Sequence, residues 1–213
     1  ARIATLPRAR RLALVALAML AGMPHAVVAG LVTAGALGHV AIGVAIVRRA
    51  RDAAHVVMGL GAVALLAGTA MWLAGLPLHR VTPWWVAFLV LTIAGERLEL
   101  ARLIQRGAGA RLSFIGVVAL LVFGLLLGLA WFEAGLVVAG AAFGLLGLWL
   151  LGFDLARRTI RTKGVARYMA ACLLPGYAWL VVAGGLWIAS PRMFLAGPGY
   201  DAMLHVVLLG FAF

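Results

Sequence analysis

Asp201 and His205, near the carboxyl end of the chain, have the types and spacing of a metal or haem ligand and its orienting group. On a helix, a spacing of four residues places the carboxylate one turn from the imidazole on the same face. A carboxylate that fixes the tautomer and direction of the ring commonly accompanies a metal-binding histidine. An aspartate that caps a helix beside a histidine would produce the same pair. We therefore predict a ligand histidine with a supporting aspartate, and keep the capping alternative.

Four further ionisable residues interrupt otherwise apolar sequence: Glu96, Arg97, Glu99 and Asp154. Because an ionisable side chain is costly inside a membrane, such residues are candidates for function. We predict an intramembrane ion-pair cluster in which Arg97 pairs with Asp154 or Glu96 and clamps two helices together. A proton or ion path along Glu96, Glu99 and Asp154 is the first alternative. Carboxylates that reach the membrane interface along their apolar stems are the second.

The remaining histidines and the cysteine carry no motif. His39 is predicted to pack deep in a helix, whereas His25, His55 and His79 fall at the ends of apolar blocks. The single cysteine, Cys172, has no partner for a disulfide. The sequence contains no CxxCH, HExxH, phosphate-loop or serine-elbow motif, so the common haem-attachment, protease, nucleotide and acyl-transfer sites are not indicated. Any cofactor is therefore expected to be held by histidines between helices.

The elements that must position these residues are membrane-spanning helices. With 66% hydrophobic and only 11% charged residues, the composition lies far outside the range of soluble domains. Apolar blocks of about 20 residues match the thickness of a bilayer. Bounded by charge, proline and glycine, they predict an all-α bundle of seven spans and a truncated eighth, at 8–22, 25–47, 54–76, 83–104, 112–132, 135–156, 166–189 and from 199. The chain begins at Ala1 and ends inside an apolar run, so we expect residues 1–213 to form one transmembrane domain of a longer protein.

The basic residues predict the orientation of these spans. A break at Gly22-Met23-Pro24, favoured because proline ends helices, places fifteen basic residues on one side of the membrane and two on the other. The fifteen are Arg2, Arg8, Arg10, Arg11, Arg48, Arg49, Arg51, Arg102, Arg106, Arg111, Arg157, Arg158, Arg161, Lys163 and Arg167; the two are Arg80 and Arg192. Because cytoplasmic loops carry the excess of Lys and Arg, the N-terminus is predicted to be cytoplasmic. The same rule explains the net charge of +12 without a nucleic-acid partner.

Two GxxxG pairs predict close helix packing. Gly124 and Gly128 form one pair, and Gly140 and Gly144 form the next. With a turn near residue 134, antiparallel packing would place Gly124 opposite Gly144 and Gly128 opposite Gly140. Small residues at matched depth let helix backbones approach within the membrane.

Three segments together resemble the NnrS-like family of bacterial polytopic membrane proteins. They are Thr82-Pro83-Trp84-Trp85 through Gly95-Glu96-Arg97-Leu98-Glu99-Leu100, then Asp154-Leu155-Ala156-Arg157-Arg158-Thr159, and Tyr200-Asp201-Ala202-Met203-Leu204-His205 through Leu209-Gly210-Phe211. The resemblance implies a bacterial inner-membrane protein of about twelve spans, linked to nitric-oxide stress and containing haem and copper. It also implies that His205 matches a family histidine of ligand type.

Two other functions fit the same residues. An accessory structural subunit of a larger respiratory or photosynthetic membrane complex would need only lipid-facing and helix-packing surfaces. A proton- or ion-coupled transporter would use Glu96, Glu99 and Asp154, although no convincing internal repeat relates the two halves of the chain. The residues do not decide whether the protein is an enzyme.

Overall fold

In the computed structural model, the described residues, 22–100 and 107–212, form helices joined by short connections. The predicted span 8–22 lies almost wholly outside them. The long helices are α1 (His25–Arg49), α2 (Ala53–Leu73), α3 (Leu78–Leu100), α4 (Ala108–Ala130), α5 (Phe132–Phe153) and α7 (Val165–Ala189). Shorter elements are α6 (Ala156–Thr159), a 3-10 turn (Pro191–Phe194), α8 (Pro198–Val207) and a π-helical turn (Leu208–Ala212).

Six of the described helices, α1 to α5 and α7, are long and apolar enough to cross a membrane. The described residues include no strand, which confirms the all-α prediction for this part of the chain. The helices fit a multi-pass membrane protein.

Several helix boundaries differ from the sequence prediction by three to five residues, among them the start of α3 and the end of α5. Helix α3 begins at Leu78 and includes Pro83, which lacks an N–H and so removes one intrahelical hydrogen bond, to the His79 carbonyl. Helix α5 ends at Phe153, because Asp154 adopts an extended conformation, with φ −73° and ψ 151°. The Asp154 carboxylate then accepts a hydrogen bond from the Ala156 backbone N–H at 2.7 Å and starts α6.

Consecutive long helices pack antiparallel in two groups. In the first group, α2 packs against both α1 and α3, with Met58 of α2 against Gly95 of α3. In the second group, α5 packs between α4 and α7, and α8 with its π-helical turn packs on α7. The two groups meet along α3, which touches α4, α5 and the π-helical turn only sparsely. Their buried side chains nevertheless form one hydrophobic core.

This alternation places most described basic residues at one end of the bundle. The basic end is defined by Arg48, Arg49, Arg51, Arg111, Arg157, Arg158, Arg161, Lys163 and Arg167. The aromatic end is defined by Trp72, Trp84, Trp85, Trp131, Trp187 and Tyr200, and it also carries Arg80 and Arg192. At this end, the Arg192 guanidinium pairs with the Glu133 carboxylate at 3.2 Å.

The packing of α4 on α5 differs from the predicted glycine pairing. The connection is a single residue, Trp131, rather than a turn near residue 134. The shorter connection shifts the register, so that Gly124 meets Ala139 and Gly128 meets Gly135. Gly140 and Gly144 lie instead against Gly184 of α7.

Candidate functional site

Helix α8 begins at a tight turn and is anchored to α3. Gly197, with φ +84°, precedes the helix, and Pro198 occupies its first position, where a missing N–H costs little. The Thr82 hydroxyl donates to the Leu78 carbonyl oxygen at 2.7 Å, so the Tyr200 hydroxyl is the donor in the 2.6 Å contact between Tyr200 and Thr82. This bond fixes the start of α8 beside the start of α3.

His205 lies on the face of α8 that points away from the described bundle. Met203, Val207 and Phe211 are buried at four-residue spacing, which turns the opposite face outward. On that face, Asp201 and His205 are exposed. At 1.5 Å per residue, His205 lies about 10 Å along the helix from Pro198. The imidazole is therefore available to a group outside the described helices.

The main-chain carbonyl of Asp201, rather than its carboxylate, orients the ring of His205. The His205 Nδ1 atom lies 2.6 Å from the Asp201 carbonyl oxygen. Because a carbonyl oxygen only accepts, the neutral ring carries its proton on Nδ1 and keeps a lone pair on Nε2. Asp201 lies in the first turn of α8, and the capping position is occupied by Gly197. Asp201 therefore orients His205 through its main-chain carbonyl rather than through its carboxylate, and it does not cap α8.

An aromatic ring packs on the π-helical turn that follows α8. A Cβ atom placed on Gly210 would come within 2.7 Å of the Trp179 ring, so this indole packs directly on the backbone of that turn. Trp179 is 47% exposed, and Leu209 is 63% exposed. Leu209, four residues after His205, lies on the same outward face and adds an exposed apolar side chain there.

The described residues do not assemble a complete metal site from protein side chains alone. Within 22–100 and 107–212, no three His, Cys, Asp or Glu side chains come together as metal ligands. A haem iron needs only one or two axial protein ligands, because the porphyrin supplies the other four. His205 meets the requirement for one.

Arg97, Asp154 and Tyr177 form a buried polar cluster at the junction of α3, α5, α6 and α7. The Tyr177 hydroxyl interacts electrostatically with both the carboxylate and the guanidinium. Tyr177 is 1% exposed and Asp154 is 4% exposed. The Tyr177 hydroxyl, the second Asp154 carboxylate oxygen and the Arg97 Nε atom have no hydrogen-bond partner in the described part of the protein.

The structure separates the other two acidic residues from this cluster. Glu96 and Glu99 are exposed on α3. Of the four residues predicted to form an ion-pair cluster, Arg97 and Asp154 are brought together around Tyr177. Glu96 and Glu99 are exposed whereas Asp154 is buried, and the ion path along these three residues stays a prediction.

Sequence reasoning missed Tyr177 and the pair formed by Asp52 and His55. Asp52 caps α2: its carboxylate accepts from the His55 backbone N–H at 3.0 Å and contacts His55 Nδ1 at 2.6 Å. An aspartate just before an apolar block is a helix-start signal, and it was available in the sequence. Tyr177 offered only a polar hydroxyl within an apolar run, which does not reveal its partners.

Three other histidines pack against aromatic rings. His25 meets Trp72 with ring centres 5.0 Å apart, and His79 meets Phe132 at 5.4 Å. His39 meets Phe88 at 5.6 Å, as expected for a packing histidine.

A family model described as a domain of unknown function, DUF8744, matches residues 7–213. The chain belongs to this family. No curated protein and no solved structure matches the chain. The description of DUF8744 states no activity, so a functional conclusion depends on the site, and the NnrS-like resemblance stays a prediction.

Proposed function

We propose that this DUF8744 protein is an NnrS-like, multi-pass protein of the bacterial inner membrane that binds haem through His205 and is linked to nitric-oxide stress. The observation that carries the haem proposal is the ring of His205. It is exposed on an outward face of α8, and its Nδ1 atom is held by the Asp201 carbonyl oxygen. The link to nitric oxide rests on the resemblance alone.

The residues around His205 have defined roles in this proposal. The Asp201 carbonyl fixes the tautomer, so that Nε2 presents its lone pair to the iron. The hydrogen bond between Tyr200 and Thr82 holds α8 in place. Leu209, exposed on the same face as His205, would offer an apolar contact to the porphyrin. Haem held by His205 would supply an iron able to bind a small diatomic molecule.

The orientation and span count belong to the same proposal. We infer that the basic end faces the cytoplasm, because nine basic residues of the described part gather there, whereas Arg80 and Arg192 lie at the aromatic end. The predicted span 8–22 would then begin in the cytoplasm, and α8 would open the eighth span. In this proposal, the ligands of the copper lie outside the described residues.

The proposal is tested by the optical spectrum of the full-length protein purified from cells supplied with haem. We expect a Soret band that is lost in His205→Ala and restored when imidazole is added to that variant. His25→Ala is the matched control, because His25 is also exposed at the aromatic end but packs on Trp72. Asp201→Asn should keep the band, because the main-chain carbonyl holds the ring.

Two results would contradict the haem proposal. One is a folded parent protein without colour or iron. The other is a Soret band unchanged by His205→Ala. A colourless protein that co-purifies with other membrane subunits would favour the accessory-subunit alternative instead.

A further inference from the structure

A groove at the aromatic end lies between the two helix groups, and His205 is not among the residues that line it. It lies between the α2–α3 hairpin and the α4–α5 hairpin, and encloses about 80 Å³. Met71, Trp84, Leu129 and Phe132 contribute to its walls, and Arg80 also lines it. Arg80 and Leu129 are exposed, so the groove opens where these two side chains lie.

The groove stays open because α4 and α5 meet at glycines, which have no side chains to project into it. Gly124, Gly128 and Gly135 line it, and these glycines bring the two backbones into direct contact. Because they carry no side chains, nothing projects from this part of the α4–α5 pair toward α3. The walls that remain are mostly apolar, which disfavours water and small polar solutes.

Arg80 gives the mouth of the groove a positive charge. Its guanidinium lies 5.9 Å from the centre of the Phe132 ring, so it is held over the groove. The nearby carboxylate of Glu133 pairs with Arg192, and Arg80 has no acidic partner among the described residues. Arg80 is the third residue of α3, at the level where the headgroups of a membrane lie.

We propose that this groove is a binding site for an anionic phospholipid. The phosphate binds Arg80, and one acyl chain lies along the groove between the two hairpins. A cation at the headgroup level above an apolar furrow has the charge and polarity of that ligand. The lipid fills the space that the glycines leave, and it joins the two helix groups where they touch only sparsely.

Native mass spectrometry of the full-length protein in detergent, titrated with dioleoyl phosphatidylglycerol or dioleoyl phosphatidylcholine, tests the site. We expect the first phosphatidylglycerol to bind about five-fold more tightly than phosphatidylcholine, the preference that one interfacial arginine gives. Arg80→Gln should remove the preference. Arg192→Gln, which removes the other cation of the aromatic end, should retain it.

A second pair of variants tests the groove itself. Leu129→Trp fills the groove and should weaken the binding of both lipids. Leu126→Trp, on an exposed position of the same helix outside the groove, should leave binding unchanged. The proposal is overturned if phosphatidylglycerol shows no preference in the parent, if the preference survives Arg80→Gln, or if the two tryptophan variants behave alike. Equal binding of both lipids would indicate an apolar surface without headgroup recognition.

Discussion

The hydroxyl of Tyr177 and the carboxylate of Asp154 belong to the same buried cluster but differ in their hydrogen bonds. Asp154 ends α5, and one of its carboxylate oxygens accepts a hydrogen bond from the Ala156 backbone N–H at the start of α6. The Tyr177 hydroxyl has no hydrogen-bond partner in the described residues. A buried polar group without a partner costs free energy, so its removal is tolerated far better than the removal of a group that is used.

We therefore expect Tyr177→Phe to change the free energy of unfolding by less than about 1 kcal/mol. Asp154→Ala should lower it by about 2 to 4 kcal/mol, because it leaves the buried Ala156 N–H without its acceptor and Arg97 without its acidic neighbour. Asp154→Asn keeps an acceptor oxygen for this N–H and separates the two effects. The measurement is the helical circular dichroism of the reconstituted protein during titration with sodium dodecyl sulfate. Equal losses for Tyr177→Phe and Asp154→Ala would contradict this assignment.

At the scale of helices, adjacent glycines of α7 have opposite surroundings. A Cβ atom on Gly184 would lie 2.5 Å from the Gly140 carbonyl oxygen and from the Gly144 nitrogen. A Cβ atom on Gly185 would meet nothing within 4 Å. The contact between α5 and α7 therefore requires glycine at only one of the two positions.

Gly184→Ala should lower the free energy of unfolding by about 1 to 3 kcal/mol, because a methyl group would push two backbones apart. Gly185→Ala should leave it unchanged or raise it by up to about 1 kcal/mol, through the higher helix propensity of alanine. The same detergent titration compares them. A stable Gly184→Ala protein would show that α5 and α7 can separate without loss.

Predicted helices were closest to the structure where the sequence carries strong boundary signals. Helix α7 was expected at 166–189 and found at Val165–Ala189, since charged residues precede it and Ser190-Pro191 follows it. The pairing of α4 with α5 was misplaced because register depends on a turn of one residue. Trp131 gives no glycine or proline signal for that turn.

At the scale of the whole molecule, the distribution of basic residues should set the orientation. In a Cys172→Ala background, Ala196→Cys at the aromatic end should react with a membrane-impermeant maleimide on intact cells. Thr162→Cys at the basic end should react only after the membrane is permeabilised. Both positions are exposed in connections between helices. The reverse pattern of labelling would contradict the cytoplasmic placement of the basic end.

The sequence alone determined the all-α class, the positions of the long apolar helices and the clustering of cations at alternate helix ends. These properties follow from composition and from the length needed to cross a bilayer, both of which are local. The sequence also indicated His205 as a candidate ligand, because Asp201 lies four residues before it on the same helix. Only the tertiary structure decided which atom orients His205 and which glycines touch. It also showed that Tyr177 lies close to both Arg97 and Asp154 and that a groove opens beside Arg80. Those features depend on register and on contacts between helices distant in the chain, and a linear pattern does not encode the distances that create them.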